Sequence, residues 1–150
     1  MTTLKQKLKM MCLQRLNDKI DAFQSIVEEL SLGAQNDAKS SAGDKHETAL
    51  SMMHLEQENL SKKIQECFDL KDVVSKIDEN KQSEKVEFGS VVKVNTVHLF
   101  FSAALPKIVV EEISVLPISV DAPIAKELLG RRLKDTFVFN NCEFTIHHLE

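Results

Sequence analysis

The 150-residue chain contains no tryptophan and no tyrosine, and only three prolines, four glycines and three cysteines. The missing aromatics bear on binding. A pocket that holds a prolyl ring depends on an aromatic floor, and here only the eight phenylalanines could supply one. Cys12, Cys67 and Cys142 are an odd set with no C-x-x-C spacing, so neither a disulfide framework nor a zinc site is indicated. Cys12 and Cys67 occupy apolar helical positions, where a thiol acts as a small hydrophobe. A reducing cytoplasm is the simplest home for such a chain. No run approaches the ~20 apolar residues that span a bilayer, and "MTTLKQKLKMMCLQRL" lacks the apolar core of a signal peptide. The formal charge of -4 argues against a nucleic-acid binder held by bulk positive charge. G-x-S-x-G, G-x-x-x-x-G-K and G-x-G-x-x-G are also absent. The closing "HHLE" is set aside, because Leu-Glu often precedes a histidine tag.

What is present is two halves with two periods. Leu13, Leu16, Ile20, Phe23, Val27 and Leu30 recur at alternating spacings of three and four, a coiled-coil seam. With Leu4 and Leu8 extending it, one helix is predicted from about Thr3 to about Asp37. A second stripe runs through Met53, Leu60, Cys67 and Val74, with Ile64, Leu70 and Ile77 between them. Glu56 and Gln57 interrupt it, so looser packing is expected there. A short polar segment separates the stripes, which favours an antiparallel hairpin over 1–80 with its tip near 38–47. Each arm would be ~50 Å long at the helical rise. Residues 81–85, inside the polar "DENKQSEK", read as a linker. From 86 to 150 the composition turns to Val, Ile, Phe and Thr, punctuated by Gly89, Pro106 and Pro117. "APIAKELLGRRL" reads as a short helix, with Pro123 in its first turn and Gly130 past its end. "KDTFVF" and "CEFTIHHL" read as a last hairpin turned at Asn140-Asn141. The fold class is therefore α+β: a helical coiled-coil hairpin, then a small α+β domain.

The carboxylates of "SSAGDKHETA" pose the functional question. Asp44 and Glu47 stand three apart, so a helix starting near Ser41 would carry them on one face. The same spacing makes a capping box, with Asp44 as N-cap and Glu47 returning to its N–H. Ser41 is a rival cap at the same spacing from Asp44. Two carboxylates are too few for a closed Mg²⁺ site, but they could complete one on a partner. His46 and His54 read as surface histidines, without zinc-ligand spacing. Lys5, Lys7, Lys9, Arg15 and Lys19 crowd the first twenty residues, either as a solvated helix face or as a contact for nucleic acid.

Three stretches together carry a family resemblance. "AGDKHETA" resembles the tip sequence "GDLxENAEY" of the bacterial Gre transcript-cleavage factors. "ISVDAPIAKELLGRRLKDTFVF" resembles their C-terminal signature "ISxxSPIAxALxGKxxGDxV", and "VEFGSVVKV" resembles the "VxFGxxVxV" that opens the same domain. The order is kept along nearly the whole chain. The resemblance implies an FKBP-like C-terminal domain over 86–150 that docks on RNA polymerase, and a coiled coil that enters the secondary channel. It implies that Asp44 and Glu47 help hold a Mg²⁺ shared transiently with the polymerase, which then cuts backtracked RNA near its 3′ end. The chain would then be a monomeric elongation factor rather than a free-standing enzyme, with no stably bound cofactor and no membrane partner. Asp121, Ala122, Pro123 and Ile124 match the docking segment, and Lys5, Lys9 and Arg15 are candidates for RNA contact. The departures are Thr48 for the family's Asn, Leu50 and Ser51 for Glu and Tyr, Ala122 for Ser, and Lys134-Asp135 for Gly-Asp.

Three other readings stand beside this one. A secondary-channel regulator would bind polymerase without stimulating cleavage. A prolyl isomerase module would use the FKBP-like half, against the missing aromatic floor. A bare coiled-coil module would dimerise through the seam.

Overall fold

The computed structural model describes residues 3–40 and 44–150, and the side chains of 3–33 and 47–150. Helix α1 (Leu4–Ser40) and helix α2 (Asp44–Ser75) form a packed hairpin. α1 begins at a capping box. The Gln6 N–H donates to Thr3 Oγ1 (3.2 Å), and the Thr3 N–H donates to Gln6 Oε1 (3.0 Å). The chain divides into two compact units, Gln14–Lys71 and the remainder, Met1–Leu13 with Asp72–Glu150.

In the first unit the heptad seam faces inward. Leu16, Ile20, Leu60 and Cys67 are buried, while Leu13, Phe23, Val27, Leu30, Met53, Ile64 and Leu70 are half-buried. Gln57 lies on the seam rather than off it. Its amide nitrogen donates to Ser31 Oγ (2.8 Å) and, more weakly, to the Val27 carbonyl (3.5 Å). The Lys63 ammonium sits 5.9 Å from the Phe23 ring centroid. These pairs are centred on residues 42–44, as an antiparallel register requires. A polar residue at a seam position costs stability and fixes register, because any slip leaves its amide unpaired.

The second unit is built on a six-stranded sheet in the order β3-β4-β2-β1-β6-β5. Its strands are β1 (Val91–Val94), β2 (Val97–Ser102), β3 (Ile108–Val110), β4 (Ile113–Ser119), β5 (Thr136–Phe139) and β6 (Cys142–Leu149). Helix α3 (Pro123–Leu128) follows β4. β2 and β4 are parallel and every other pairing is antiparallel. β6 is shared along its length: Cys142 to Thr145 pair with β5, and Ile146 to Leu149 pair with β1. The final "HHLE" is part of this sheet, with Val91 and Glu150 exchanging backbone hydrogen bonds of 3.1 and 2.9 Å. The segment set aside as a possible tag remnant thus completes the sheet.

Successive side chains of the central strands point to opposite faces, as the pleat demands, and both faces are largely buried. Val92, Val94, Leu99, Phe101 and Ile146 join Ala125 and Leu128 of α3 in one core. Val91 and Phe100 point to the other face and are also fully buried. The same unit holds the buried Leu8, Cys12, Val74 and Ile77. A Cβ on Gly89 would come within 3.2 Å of Ile77 Cγ2, and Gly89 has φ +90°. The base of the helical hairpin therefore packs into the sheet unit. "DENKQSEK" is pinned to that base. Gln6 Nε2 donates to Asn80 Oδ1 (2.7 Å), Lys9 pairs with Glu79 (3.1 Å), and the Asn80 N–H donates to Asp78 Oδ1 (3.1 Å).

Two local readings need correction. Pro117 does not punctuate; it lies inside β4, opposite Phe100 of β2. β3 pairs only as far as Val115, so no neighbour on that side needs the N–H that proline lacks. Conversely, "VVEEIS" contains an unrecognised turn. Glu111 and Glu112 have φ of 50° and 70° and connect β3 to β4 as a two-residue hairpin loop. Glutamate pays a steric penalty there that Asn-Gly would avoid. Gly89→Ala should destabilise the fold by about 1 kcal/mol or more, and Glu112→Gly should stabilise it by about 1 kcal/mol. Urea unfolding of both variants checks the pair; a neutral Gly89→Ala would refute the close approach to Ile77.

Candidate functional site

The tip pair is the leading candidate. α2 begins at Asp44, whose side chain lies outside the described residues, as do Ser41, Gly43 and His46. The choice between Ser41 and Asp44 as N-cap also lies there. Glu47 stands in the first turn of α2 and is exposed. Among the described residues its carboxylate makes no hydrogen bond or ion pair. A carboxylate near a helix N-terminus is stabilised by the partial positive charge there, whether or not it caps. Thr48 and Ser51 are exposed and Leu50 is half-buried.

Asp121, Ala122, Pro123 and Ile124 form the β4–α3 junction. The Asp121 N–H donates to Ser119 Oγ (3.1 Å), which bends the chain out of the sheet and leaves the Asp121 side chain exposed. Ala122 is the N-cap of α3 and has no side chain that can cap; Pro123 follows in the first turn. Ala122 and Ile124 are half-buried against the α3 core. The junction therefore offers an exposed acid and an exposed proline on a firmly packed base.

The N-terminal lysines are placed differently from a free basic face. Lys5 is 3% exposed, and its ammonium donates to the Lys81 carbonyl (2.7 Å). Burial pushes its pKa down, against the pull of Glu150, Glu87 and Asp78. Lys9 donates to the Ile77 carbonyl just past the end of α2 (2.7 Å), where a cation complements the helix dipole. Lys7 is ion-paired with Glu111. Of the RNA-contact candidates, Arg15 alone is exposed, while Lys5 and Lys9 hold the hairpin base.

Two ionisable groupings escaped the sequence reading. Lys81 hydrogen-bonds Glu87 (2.8 Å), which raises the lysine and lowers the carboxylate. On the sheet, His98, Lys93 and His148 are direct cross-strand neighbours on β2, β1 and β6. Partial burial lowers the His98 pKa, with Lys93 and His148 adding repulsion. No spacing of residues signals such a row; strand order makes it. Among the described residues there is no group of three His, Cys, Asp or Glu able to hold a metal, and no helix long and apolar enough to cross a membrane.

No family model matches the chain, and no curated protein matches it. Among solved structures, one described as "Structure of the transcription factor Gfh1" is 22% identical, covering 91% of this chain and 93% of that one, with a TM-score of 0.35.

The His98 environment gives a signed pH dependence. A folded-state pKa below the ordinary histidine value of 6.5 means that the unfolded chain binds the proton more readily. Stability from this group is complete above that value and declines as pH falls through it. His98→Gln should flatten the slope of unfolding free energy between pH ~7.5 and ~5.5. Glu87 acts in a separate, lower window: its contribution is present above 4.5 and is lost as pH falls through its depressed folded value. Denaturant titrations across pH would disprove the His98 assignment if parent and variant slopes coincide.

Proposed function

We propose that this chain is a transcription elongation factor that binds RNA polymerase and lends the carboxylates of Asp44 and Glu47 to the polymerase active site, promoting cleavage of backtracked RNA. One observation carries the reading: a packed helical hairpin whose second helix opens with these two acids, followed by a sheet domain bearing the Gre-like "DAPI" segment at an exposed junction. Glu47 is exposed and unpaired among the described residues, as a donated ligand must be. The hairpin inserts into the secondary channel in this reading, and 121–124 contact the polymerase surface.

The residues suit a shared rather than a resident ion. Two carboxylates leave most of an octahedral Mg²⁺ shell to other donors, and a polymerase site supplies those. The ion, when bound, activates water and steadies the charge that develops on the phosphodiester. Asp44 and Glu47 contribute negative charge and orientation, and the bond is cut in the polymerase. The chain is thus no enzyme by itself and binds no cofactor stably.

The second reading is a regulator that binds polymerase without cleavage. Thr48, Leu50 and Ser51, which depart from the family tip, favour it. A stalled, backtracked complex with the cognate polymerase separates the two. The parent chain should shorten the RNA, while Asp44→Ala and Glu47→Ala should each abolish shortening and leave polymerase binding intact. A parent that binds without shortening the RNA supports the regulator, and variants as active as the parent remove the tip acids from the mechanism.

A further inference from the structure

We infer that the outer edge of β5 is a self-complementary surface through which two copies of this chain pair, antiparallel, into one continuous sheet. β5 ends the sheet, and among the described residues its only strand neighbour is β6. The Asn140-Asn141 loop joins Phe139 to its partner Cys142, with φ of 49° and 63°, a two-residue hairpin. In such a hairpin Phe139 and Phe137 exchange their backbone hydrogen bonds with β6, and the intervening residues turn theirs outward. The rest of the ladder agrees. Thr145, opposite Thr136, directs its N–H to Asn95 Oδ1 and its carbonyl to the Asn95 N–H, both at 3.0 Å and on the far side of β6. Thr136 and Val138 therefore present two N–H and two C=O groups at the edge, with no partner among the described residues. Val138 is 67% exposed.

Apart from its length of four residues, β5 lacks the usual protections of an edge strand. "TFVF" holds no charge and no proline, and its pairing with β6 has no bulge. The opposite edge contrasts with it. β3 is three residues long, its hairpin register turns only Val109 outward, Pro106 and Lys107 precede it, and Glu111 beside it is ion-paired with Lys7.

The occupant follows from register. With a two-fold axis at Phe137, Thr136 faces Val138 of the second copy and Val138 faces its Thr136. All four outward groups on each strand then find partners, giving four hydrogen bonds. The facing side chains are β-branched pairs, which suit cross-strand contact. Continuing outward, Asp135 faces Phe139 and Lys134 faces Asn140, so no like charges meet. An isologous contact of this size closes on itself and forms only a weak dimer.

Sedimentation from micromolar to millimolar protein should reveal a concentration-dependent dimer, abolished by Val138→Lys, which keeps the edge but charges it. Amide exchange gives the site. Thr136 and Val138 should gain protection as concentration rises, whereas Phe137 and Phe139 should not change. A chain monomeric throughout, a dimer undiminished in Val138→Lys, or protection gained elsewhere but not at Thr136 and Val138 would each overturn the pairing.

Discussion

The central pair of strands, β1 and β2, has to be covered on both faces. Val91 and Val92, and likewise Phe100 and Phe101, are adjacent residues pointing opposite ways, and all four are fully buried. Leaving either face open would expose a valine and a phenylalanine and cost several kcal/mol in lost hydrophobic burial. α3 covers one face. Six residues of helix cannot cover both, and the buried Leu8, Cys12, Val74 and Ile77 from the two ends of the hairpin lie in the same compact unit. This is why the first turns of α1 belong to the sheet's compact unit, although they are ~80 residues away in sequence.

The N-terminal lysines follow from the same constraint. A chain arriving at the sheet must end α2, reverse, and enter β1, leaving carbonyls near 77–81 without partners. Lys9 and Lys5 supply donors to the Ile77 and Lys81 carbonyls. An unpaired buried carbonyl costs about 1–3 kcal/mol, comparable to what is lost in drawing a lysine out of water along its stem. The depressed pKa of Lys5 is the visible residue of that trade. What looked like a basic face is largely the fastening of the hairpin to its base.

How much of this was legible depended on whether the cause was local. The seam, the terminal hairpin at Asn140-Asn141 and the Pro123–Gly130 frame of α3 each rest on periodicity or on a residue with a restricted backbone, and the structure bears them out. The spacing of the Asp44–Glu47 capping box recurs in "TLKQ", where the structure closes it at Thr3 and Gln6. The Glu111-Glu112 turn left no signal, because glutamate has no preference for positive φ; its position is imposed by Val110 and Ile113 facing each other in the hairpin. By residue type Gln57 is a defect in the seam. It lies in the seam, and only the partner helix reveals that Ser31 meets it. Long-range pairings of this kind, the His98–Lys93–His148 row included, are set by strand order and register rather than by nearby residues.

The same distinction bears on the candidate site. A carboxylate in the first turn of a helix has a structural use ready to hand, and capping is the simplest account of any D-x-x-E. That account predicts a carboxylate turned back onto the backbone and satisfied there. Glu47 is instead exposed and unpaired among the described residues, while the charges at the hairpin base, Lys7, Lys9, Glu79 and Glu111, are paired. Those two pairs lie where the helices meet the sheet. Glu47 lies in the other compact unit. An acid without a partner among the described residues, in a segment resembling a family's working tip, is the reason to look for its partner outside the chain.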